Sequence, residues 1–267
     1  MSKGCILQVW LRQGAWLCCG IWLSMAAPAS AAELPVLRWC LGHFPGFHEF
    51  TGNGRTPVGP SVTMMQELAR RAGFTLQIGT KTPPGRCLKQ LAAGEAELMA
   101  NLLYSSQRAD SLILIRFASR FPDRLYLAAD DPRHITDLPQ LSGLSLVTVR
   151  GFGLHPAIQQ VADALPPQQK QQVDSTATAL QMVARNRADG ALLPPTQVSH
   201  IFTQQPRLAA QLREVSFASD KVAPQHVYIG LSRQVKDRQI EARIRTALTQ
   251  MKTDGTIKRI FGDKVLD

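Results

Sequence analysis

The pattern of hydrophobic and polar residues predicts strands and helices that alternate along the chain. Short apolar runs predict strands, and longer stretches with apolar residues every three or four positions predict amphipathic helices. The predicted strands are 36–41, a strand from Phe74, 144–149, 190–193 and 226–232. The predicted helices are 61–72, one after Gly153, one opened by Asp174 or Ser175, and 235–253, with Gly255 beyond its end. This alternation indicates an α/β protein with mostly parallel sheets flanked by helices.

One short pattern occurs twice. The first copy, QLAAGEAELMANLL, starts at Gln90, and the second, QMVARNRADGALLP, starts at Gln181. In each copy a helix end meets a polar break, and an acid, Glu97 or Asp189, precedes a short apolar run. The repeat indicates two similar α/β lobes with a cleft between them, although doubly wound domains also produce such echoes by chance.

The first 31 residues have the composition of a secretory signal peptide. Lys3 and Arg12 form a basic region, residues 14–27 form a short apolar core, and Ala29-Ser30-Ala31 fits the small-residue cleavage rule. Because the apolar stretch is shorter than the roughly 20 residues of a membrane-spanning helix, cleavage is favoured over an uncleaved anchor. The mature chain is therefore predicted to begin near Ala32 and to lie in the periplasm.

The chain is basic, with 30 Lys and Arg against 20 Asp and Glu and a formal net charge of +10. Residues 1–31 hold two basic residues and no acid, so the mature part keeps a net charge of +8. The basic residues are scattered, as on a solvated surface. Without a Lys/Arg run or a helix-turn-helix pattern, the sequence argues against nucleic-acid binding, and the charge indicates either an adaptation to the cell's surroundings or an acidic small molecule as the partner.

Cysteine usage points to one disulfide. Of the five cysteines, Cys5, Cys18 and Cys19 fall in the predicted signal peptide, which leaves Cys40 and Cys87. An even pair in an oxidising compartment favours a disulfide, with two buried free thiols as the alternative. Closing a loop of that length would stabilise the fold by roughly 4 kcal/mol on the chain-entropy estimate. No His or Cys lies at ligand spacing from either residue, so no metal site and no cofactor are predicted.

Four segments together resemble a known family, the bacterial periplasmic solute-binding proteins of family 3, which includes amino-acid-binding components of ABC transporters. The segments are LRWCLGHFPGF, VGPSVTMMQELARRAGF, LKQLAAGEAELMANLLYSSQRAD and ALTQMKTDGTIKRIFGDK, which run nearly from end to end. The closing MKTDGTIKRIFG and the SSQRAD turn are the most specific pieces. A subgroup with Arg-Cys at its second helix and a cysteine on its first strand is most similar, since this chain has Arg86-Cys87 and Cys40.

The resemblance implies a two-lobe periplasmic-binding-protein fold of type II, in which a hinge closes the lobes over a ligand. Lobe 1 would be discontinuous, with residues 33–125 and 228–267, and lobe 2 would take residues 126–227. The protein is expected to be a monomer that delivers its ligand to an ABC permease or to a membrane sensor.

The resemblance also implies which residues hold the ligand. Arg108 in the SSQRAD turn would bind a carboxylate through both arms of its guanidinium, which suits a planar anion. The other implied contacts come from the same turn, from the aromatic loop after the first strand and from a helix N-terminus, where only backbone groups can serve. These residues are Ser105, Tyr104, Phe44, Phe47, Gly151 and Phe152.

Three positions depart from the family pattern. Pro194 stands where amino-acid binders commonly have the aspartate that pairs with the ligand's ammonium group. Leu103 replaces a hydroxyl or small residue, and Pro84 stands where the similar subgroup often has tryptophan. An ammonium group without that acid would be buried unpaired, at a cost of several kcal/mol, roughly. The expected ligand is therefore anionic or less polar than a standard amino acid.

The sequence predicts a binding protein for a small carboxylate-bearing or anionic solute rather than an enzyme. One alternative is a dehydratase-like enzyme on the same fold, which needs a general acid in the cleft. The candidates for that acid are His43, His48, Glu49 and His155, none with a visible partner in the sequence. The other alternative is a regulatory protein whose ligand pocket has degenerated.

Overall fold

The computed structural model of the chain describes Met1 and residues 33–51, 56–215 and 224–266. Residues Leu34–Asp267 form one compact unit by internal contacts. The predicted signal peptide and its cleavage site at Ala31 lie, apart from Met1, outside the described residues. None of the described helices is long and apolar enough to span a bilayer.

Ten of the described strands form two five-stranded sheets. The first sheet has the order β4-β1-β5-β12-β6 and the second has the order β11-β7-β10-β8-β9. The strands of the first sheet are β1 Val36–Leu41, β4 Thr75–Lys81, β5 Leu98–Leu103, β6 Leu112–Arg120 and β12 Gln225–Ser232. Those of the second are β7 Arg124–Ala128, β8 Leu146–Val149, β9 Lys170–Val173, β10 Gly190–Leu193 and β11 Leu212–Val215. A small hairpin consists of β2 Glu49–Thr51 and β3 Thr56–Val58.

The predicted α/β class is confirmed, and both sheets are mixed, because in each of them one strand runs against the other four. In the first sheet β1 runs parallel to β4 and β5, whereas β12 is antiparallel to β5 and β6. In the second, β8 runs parallel to β9 and β10, whereas β7 is antiparallel to β10 and β11. The antiparallel strands β7 and β12 each enter their sheet from the opposite one. Strand direction after such a crossing depends on tertiary structure, which residue periodicity does not reveal.

Helices cover the sheets. They are α1 Pro60–Ala72, α2 Pro84–Ala93, α3 Ser106–Ser111, α4 Pro156–Ala164, α5 Thr176–Ala184, α6 Pro195–Gln204, α7 Pro206–Ala209, α8 Ile240–Thr253 and α9 Thr256–Phe261. The helix predicted at 61–72 is found as α1, and Gly73 ends it in the left-handed conformation at φ 68°. The helix predicted from 235 begins only at Ile240, because the side chain of Asp237 accepts the amide hydrogen of Gln239 in a turn.

The repeated sequence pattern has the same structural role in both sheets. Its two apolar runs are the buried strands β5 and β10. The acid before each strand accepts a backbone N–H from the parallel neighbour: Glu97 from Arg38 within β1 at 2.7 Å, and Asp189 from Ser145 just before β8 at 2.7 Å. Both acids therefore stabilise strand pairing, and neither lines the cavity between the sheets.

The first sheet is buried on both faces. Trp39 and Cys40 are neighbours on β1, so their side chains point to opposite faces. Trp39 packs with residues of α1, α8 and α9, and Cys40 packs with residues of α2. Cys40 and Cys87 form a disulfide with a Cα–Cα distance of 5.5 Å, as predicted. This bond ties β1 to α2.

The chain passes from the first sheet to the second between Arg120 and Arg124, and it returns between Val215 and Gln225. The first crossing takes only three residues. The predicted lobe boundary after residue 125 falls within β7, and the predicted return at residue 228 falls within β12. Whether the two sheets move as separate lobes stays a prediction.

Candidate functional site

A cavity lies between the two sheets. Most of its lining comes from the carboxyl ends of β1 and β5 and the segments that follow them, and the rest comes from the ends of β8 and β10 and from residues near the crossing. About 50 Å³ of it is open to the centres of water molecules. A water needs roughly 10–15 Å³ on that measure, so the cavity accommodates a few waters in this conformation.

Arg108 lies on the first-sheet side of the cavity. It belongs to the short helix α3, which Ser105 caps by accepting the Arg108 amide hydrogen at 3.3 Å. The guanidinium reaches back into the protein: Nη1 donates to the Leu103 carbonyl at 2.7 Å and Nη2 donates to the Gly151 carbonyl at 2.8 Å. Leu103 ends a strand of the first sheet and Gly151 follows a strand of the second. Arg108 therefore joins the two sides of the cavity.

The charge of Arg108 is not neutralised by an acid of the described chain. Only 9% of the residue is exposed, and burial lowers its pKa to about 10, which keeps it protonated at neutral pH. Desolvation is the single cause of that shift, and no Asp or Glu is among the described lining residues. A buried cation without a counter-ion is costly, so the site is electrostatically suited to an anion.

Aromatic rings fill the space beside Arg108. The rings of Phe44 and Phe47 are 5.1 Å apart, and Phe44 stacks on His48 at 5.5 Å. From the second-sheet side Phe152 meets Phe44 edge-on at 5.2 Å. This contact between the two sides accounts for the small volume of the cavity.

The segment Gly151–Gly153 approaches the first-sheet side closely. Gly151 has a φ of 80°, and a Cβ there would lie 2.7 Å from the Gly85 nitrogen at the start of α2. A Cβ at Gly153 would lie 2.9 Å from Arg108 Nη1. Side chains at these two positions would clash, so glycine is required for this approach.

Five of the seven predicted ligand residues line the cavity, and two do not. Arg108, Phe44, Phe47, Gly151 and Phe152 come together there. Tyr104 is 58% exposed and lines a different, open surface groove, and the Ser105 hydroxyl is used as a helix cap. Tyr104 and Ser105 were predicted to contact the ligand because they lie on the turn that carries Arg108. The structure shows that the turn directs both side chains away from the cavity. The departures Pro194, Leu103 and Pro84 all line it.

The four candidates for a general acid are dispersed. His43 and His48 line the cavity, and burial lowers the pKa of both, in His48 to about 3. Glu49 contacts His200 of α6 at 2.6 Å outside the lining, and the His155 side chain caps α4. The two histidines in the lining are therefore neutral at physiological pH and poor proton donors.

The structure adds lining residues that the sequence patterns did not suggest. Trp39, Asn101 and Arg120 line the cavity from the first-sheet side and the crossing, and Thr196 lines it from α6. Asn101 has a φ of 60°, an unusual value for a residue other than glycine. Asn101 and Arg120 lie in apolar strand patterns, and no sequence signal distinguished them from core or surface positions. Among the described residues, no group of His, Cys, Asp or Glu could hold a metal ion.

Residues 40–263 match the family of bacterial extracellular solute-binding proteins, family 3. The chain belongs to this family. The match covers most of the sequence and confirms the predicted resemblance. The family is one of extracellular solute-binding proteins rather than enzymes, in agreement with the prediction of a non-enzymatic binding protein.

Solved structures of this fold are similar to the family 3 protein described here, at low sequence identity. The substrate-binding protein of an amino acid ABC transporter has a TM-score of 0.70 and 12% identity, over 87% of this chain and 99% of that one. A histidine kinase sensor domain with similarity to periplasmic binding proteins has a TM-score of 0.73 and 18% identity, over 88% and 97%. The arginine-, lysine-, histidine-binding protein of Geobacillus stearothermophilus has a TM-score of 0.70 and 13% identity, over 87% and 95%. These similarities show the fold alone, and no curated protein sequence matches the chain significantly.

Proposed function

We propose that this family 3 protein captures a small carboxylate-bearing solute in the cavity between its sheets and delivers it to an ABC-type transporter or a membrane sensor. The observation that carries the proposal is the buried Arg108 guanidinium, which lines the cavity without an acid partner among the described residues. Its two observed side-chain hydrogen bonds use two of its five N–H groups. The remaining N–H groups of the guanidinium can donate to a carboxylate.

The composition of the lining supports an anion over a zwitterion. Pro194 occupies the lining where an acid would be needed to pair with an ammonium group, and it carries neither charge nor an N–H. Arg120, the second cation of the lining, is paired with Asp123 at 3.1 Å. The uncompensated charge at the cavity is therefore positive.

Binding requires the two sides of the cavity to separate. The space available in this conformation accommodates only a few waters, and the Phe44–Phe152 contact and the Arg108–Gly151 hydrogen bond connect the two sides. A ligand that replaces the Gly151 carbonyl as the acceptor of the Arg108 hydrogen bond would itself connect the two sides of the cavity. This is the coupling between binding and closure that a receptor downstream can recognise.

Delivery to a transporter or to a sensor is supported by the fold only. The similar structures include one component of an amino acid ABC transporter and one histidine kinase sensor domain. Both uses need the same property, a ligand-dependent closed state, so they follow equally from the cavity described above.

The proposal is tested with titration calorimetry and thermal shift on the purified protein. The probes are pairs of acids and their methyl esters, together with the matching α-amino acids. We expect the acids to bind, the esters to lose binding, and the amino acids to bind more weakly than the acids. A charge-assisted hydrogen bond contributes about 1.5–3 kcal/mol, so Arg108→Met should weaken binding by about 10- to 150-fold.

Arg108→Lys serves as the matched control, since it keeps the positive charge and loses the planar guanidinium that can donate two parallel hydrogen bonds. Circular dichroism of both variants checks that the fold is retained, because two backbone carbonyls lose a donor. Equal affinity for an acid and its ester, or affinity unchanged in Arg108→Met, would refute the proposal. If none of the probes binds, the alternative of a regulatory protein with a degenerate ligand pocket is favoured.

A further inference from the structure

Unpartnered buried polar atoms are concentrated at the cavity. Eight buried side-chain nitrogen and oxygen atoms have no hydrogen-bond partner among the described residues. Four of them belong to side chains that line this one cavity: Trp39 Nε1, His48 Nδ1, Asn101 Oδ1 and Arg120 Nη1. Native proteins rarely leave such atoms unpaired, so the concentration points to a group that is bound there.

Three of the four atoms belong to one side of the cavity, which we name the Trp39 cluster: Trp39, His48 and Asn101. Trp39 is on β1 and Asn101 is on the adjacent parallel strand β5. The His48 ring meets the Trp39 indole edge-on at 5.5 Å. Trp39 is fully buried and His48 is 4% exposed. Water outside the protein therefore does not satisfy these two side chains.

The Trp39 cluster is fixed by its surroundings. The Asn101 amide nitrogen donates to Ser61 Oγ at 2.9 Å, which leaves the carbonyl oxygen as the free end. The Ser61 amide nitrogen in turn donates to the Phe47 carbonyl at 2.9 Å, next to His48. Asn101 and the loop of His48 are thus held together by the start of α1, in the manner of a preorganised site.

The chemistry of the three free atoms specifies the group that fits. The indole N–H of Trp39 only donates, and the amide oxygen of Asn101 only accepts. His48 is neutral, with its pKa lowered to about 3 by burial, so Nδ1 accepts or donates according to its tautomer. A hydroxyl group both donates and accepts and satisfies this set. A methyl group would leave all three atoms unpaired, and a carboxylate would face the Asn101 oxygen.

We propose that the Trp39 cluster binds a hydroxyl group of the same solute whose carboxylate contacts Arg108, so that the ligand is a small hydroxycarboxylic acid. The inference rests on the proposed function, because it assigns a second contact within the same cavity. It predicts selectivity: a site built to hydrogen-bond a hydroxyl discriminates against the analogue that lacks it.

The test compares matched pairs of probes by titration calorimetry, such as 4-hydroxybutyrate against butyrate, lactate against propionate, and malate against succinate. We expect the hydroxylated member of at least one pair to bind about tenfold or more tightly to the unmodified protein. Trp39→Phe removes the N–H and keeps a ring, and Asn101→Gly removes the amide and suits a positive φ. Both variants should reduce the ratio of affinities towards one.

Gln169→Met is the matched control, since Gln169 carries another of the unpartnered buried atoms and is not among the described lining residues. It should leave the ratio unchanged. Equal binding within every pair, or a ratio that persists in Asn101→Gly, would overturn the inference and assign ordered water to the Trp39 cluster. Failure of every carboxylate to bind would overturn the proposed function as well, so the two failures are distinguishable.

Discussion

The two sides of the cavity differ in what they offer a ligand. The side built from the first sheet carries Arg108, the Trp39 cluster and the rings of Phe44 and Phe47. Among the described lining residues, the side built from the second sheet carries two glycines, Phe152, Pro194 and a single hydroxyl, that of Thr196. We call these the first wall and the second wall.

The difference indicates that the first wall recognises the ligand and the second wall covers it. An anion needs positive charge and hydrogen-bond donors, and the uncompensated positive charge, that of Arg108, lies on the first wall. The second wall presents the Gly151 carbonyl, an acceptor that a carboxylate cannot use, and the ring of Phe152. Selectivity should therefore respond to changes in the first wall, and closure to changes in the second.

The largest expected effect concerns the Cys40–Cys87 disulfide, which holds the first wall together. The disulfide closes a separation of 47 residues, and Cys40 itself lines the cavity. The double variant Cys40→Ala, Cys87→Ala should lose roughly 4 kcal/mol of the free energy of unfolding, because the unfolded chain gains entropy. Urea denaturation with and without a reductant measures it. A loss below 1 kcal/mol, roughly, would show that packing alone holds the first wall.

The second prediction concerns acid stability of the first wall. The pKa of His48 is lowered from 6.5 to about 3 by burial, so between these values the unfolded chain binds a proton that the folded protein excludes. The free energy of unfolding should fall as the pH drops below 6.5, by up to about 1.4 kcal/mol per pH unit for this group. In His48→Phe the slope measured by urea denaturation between pH 6.5 and 5 should be smaller. An unchanged slope would mean that His48 is not kept neutral.

The third prediction separates closure from recognition. Gly153→Ala would place a methyl group 2.9 Å from Arg108 Nη1 and 3.0 Å from Leu103 Cβ. Overpacking of this kind costs about 1–3 kcal/mol, so affinity for a carboxylate should fall by about 5- to 150-fold. Gly143→Ala is the control, because nothing lies within 4 Å of the added methyl group. Similar calorimetric affinities for the two variants would contradict the close approach of the second wall.

The fourth prediction restores an acid to the second wall. Pro194→Asp places a carboxylate in the lining and introduces a favourable residue at the N-cap of α6. Affinity should shift towards α-amino acids and away from acids without an ammonium group. Pro194→Asn provides the same helix cap without the charge and should not shift the relative affinity for amino acids. If both variants bind amino acids equally, charge at this position does not select the ligand.

The smallest expected effect lies outside the cavity, where Glu49 of β2 contacts His200 of α6 at 2.6 Å. Both side chains are partly exposed, at 21% and 31%, so the coupling should be about 0.2–1 kcal/mol. A double-mutant cycle with Glu49→Gln and His200→Gln on the free energy of unfolding measures it. A coupling well above that range would mean that this contact, rather than Arg108, chiefly joins the two sheets.

The sequence by itself determined the α/β class, the family, the pairing of Cys40 with Cys87 as the favoured option and the approximate bounds of α1. These follow from local chemistry: apolar periodicity, helix-ending glycines and motif spacing act over a few residues, and two cysteines in an oxidising compartment leave few choices. The repeated acids also were visible in sequence. Their role in strand pairing was not.

Only the tertiary structure decided which side chains face the cavity. Tyr104 and Ser105 adjoin Arg108 on one turn, yet a change of direction at α3 sends them elsewhere, because backbone geometry and not proximity in sequence sets where a side chain points. Trp39 and Asn101 lie within apolar strand patterns, and their unpaired polar atoms become visible only when two strands and a loop pack together. The strands β7 and β12 run antiparallel to their neighbours because the chain crosses between sheets, which is a long-range property that no local pattern encodes.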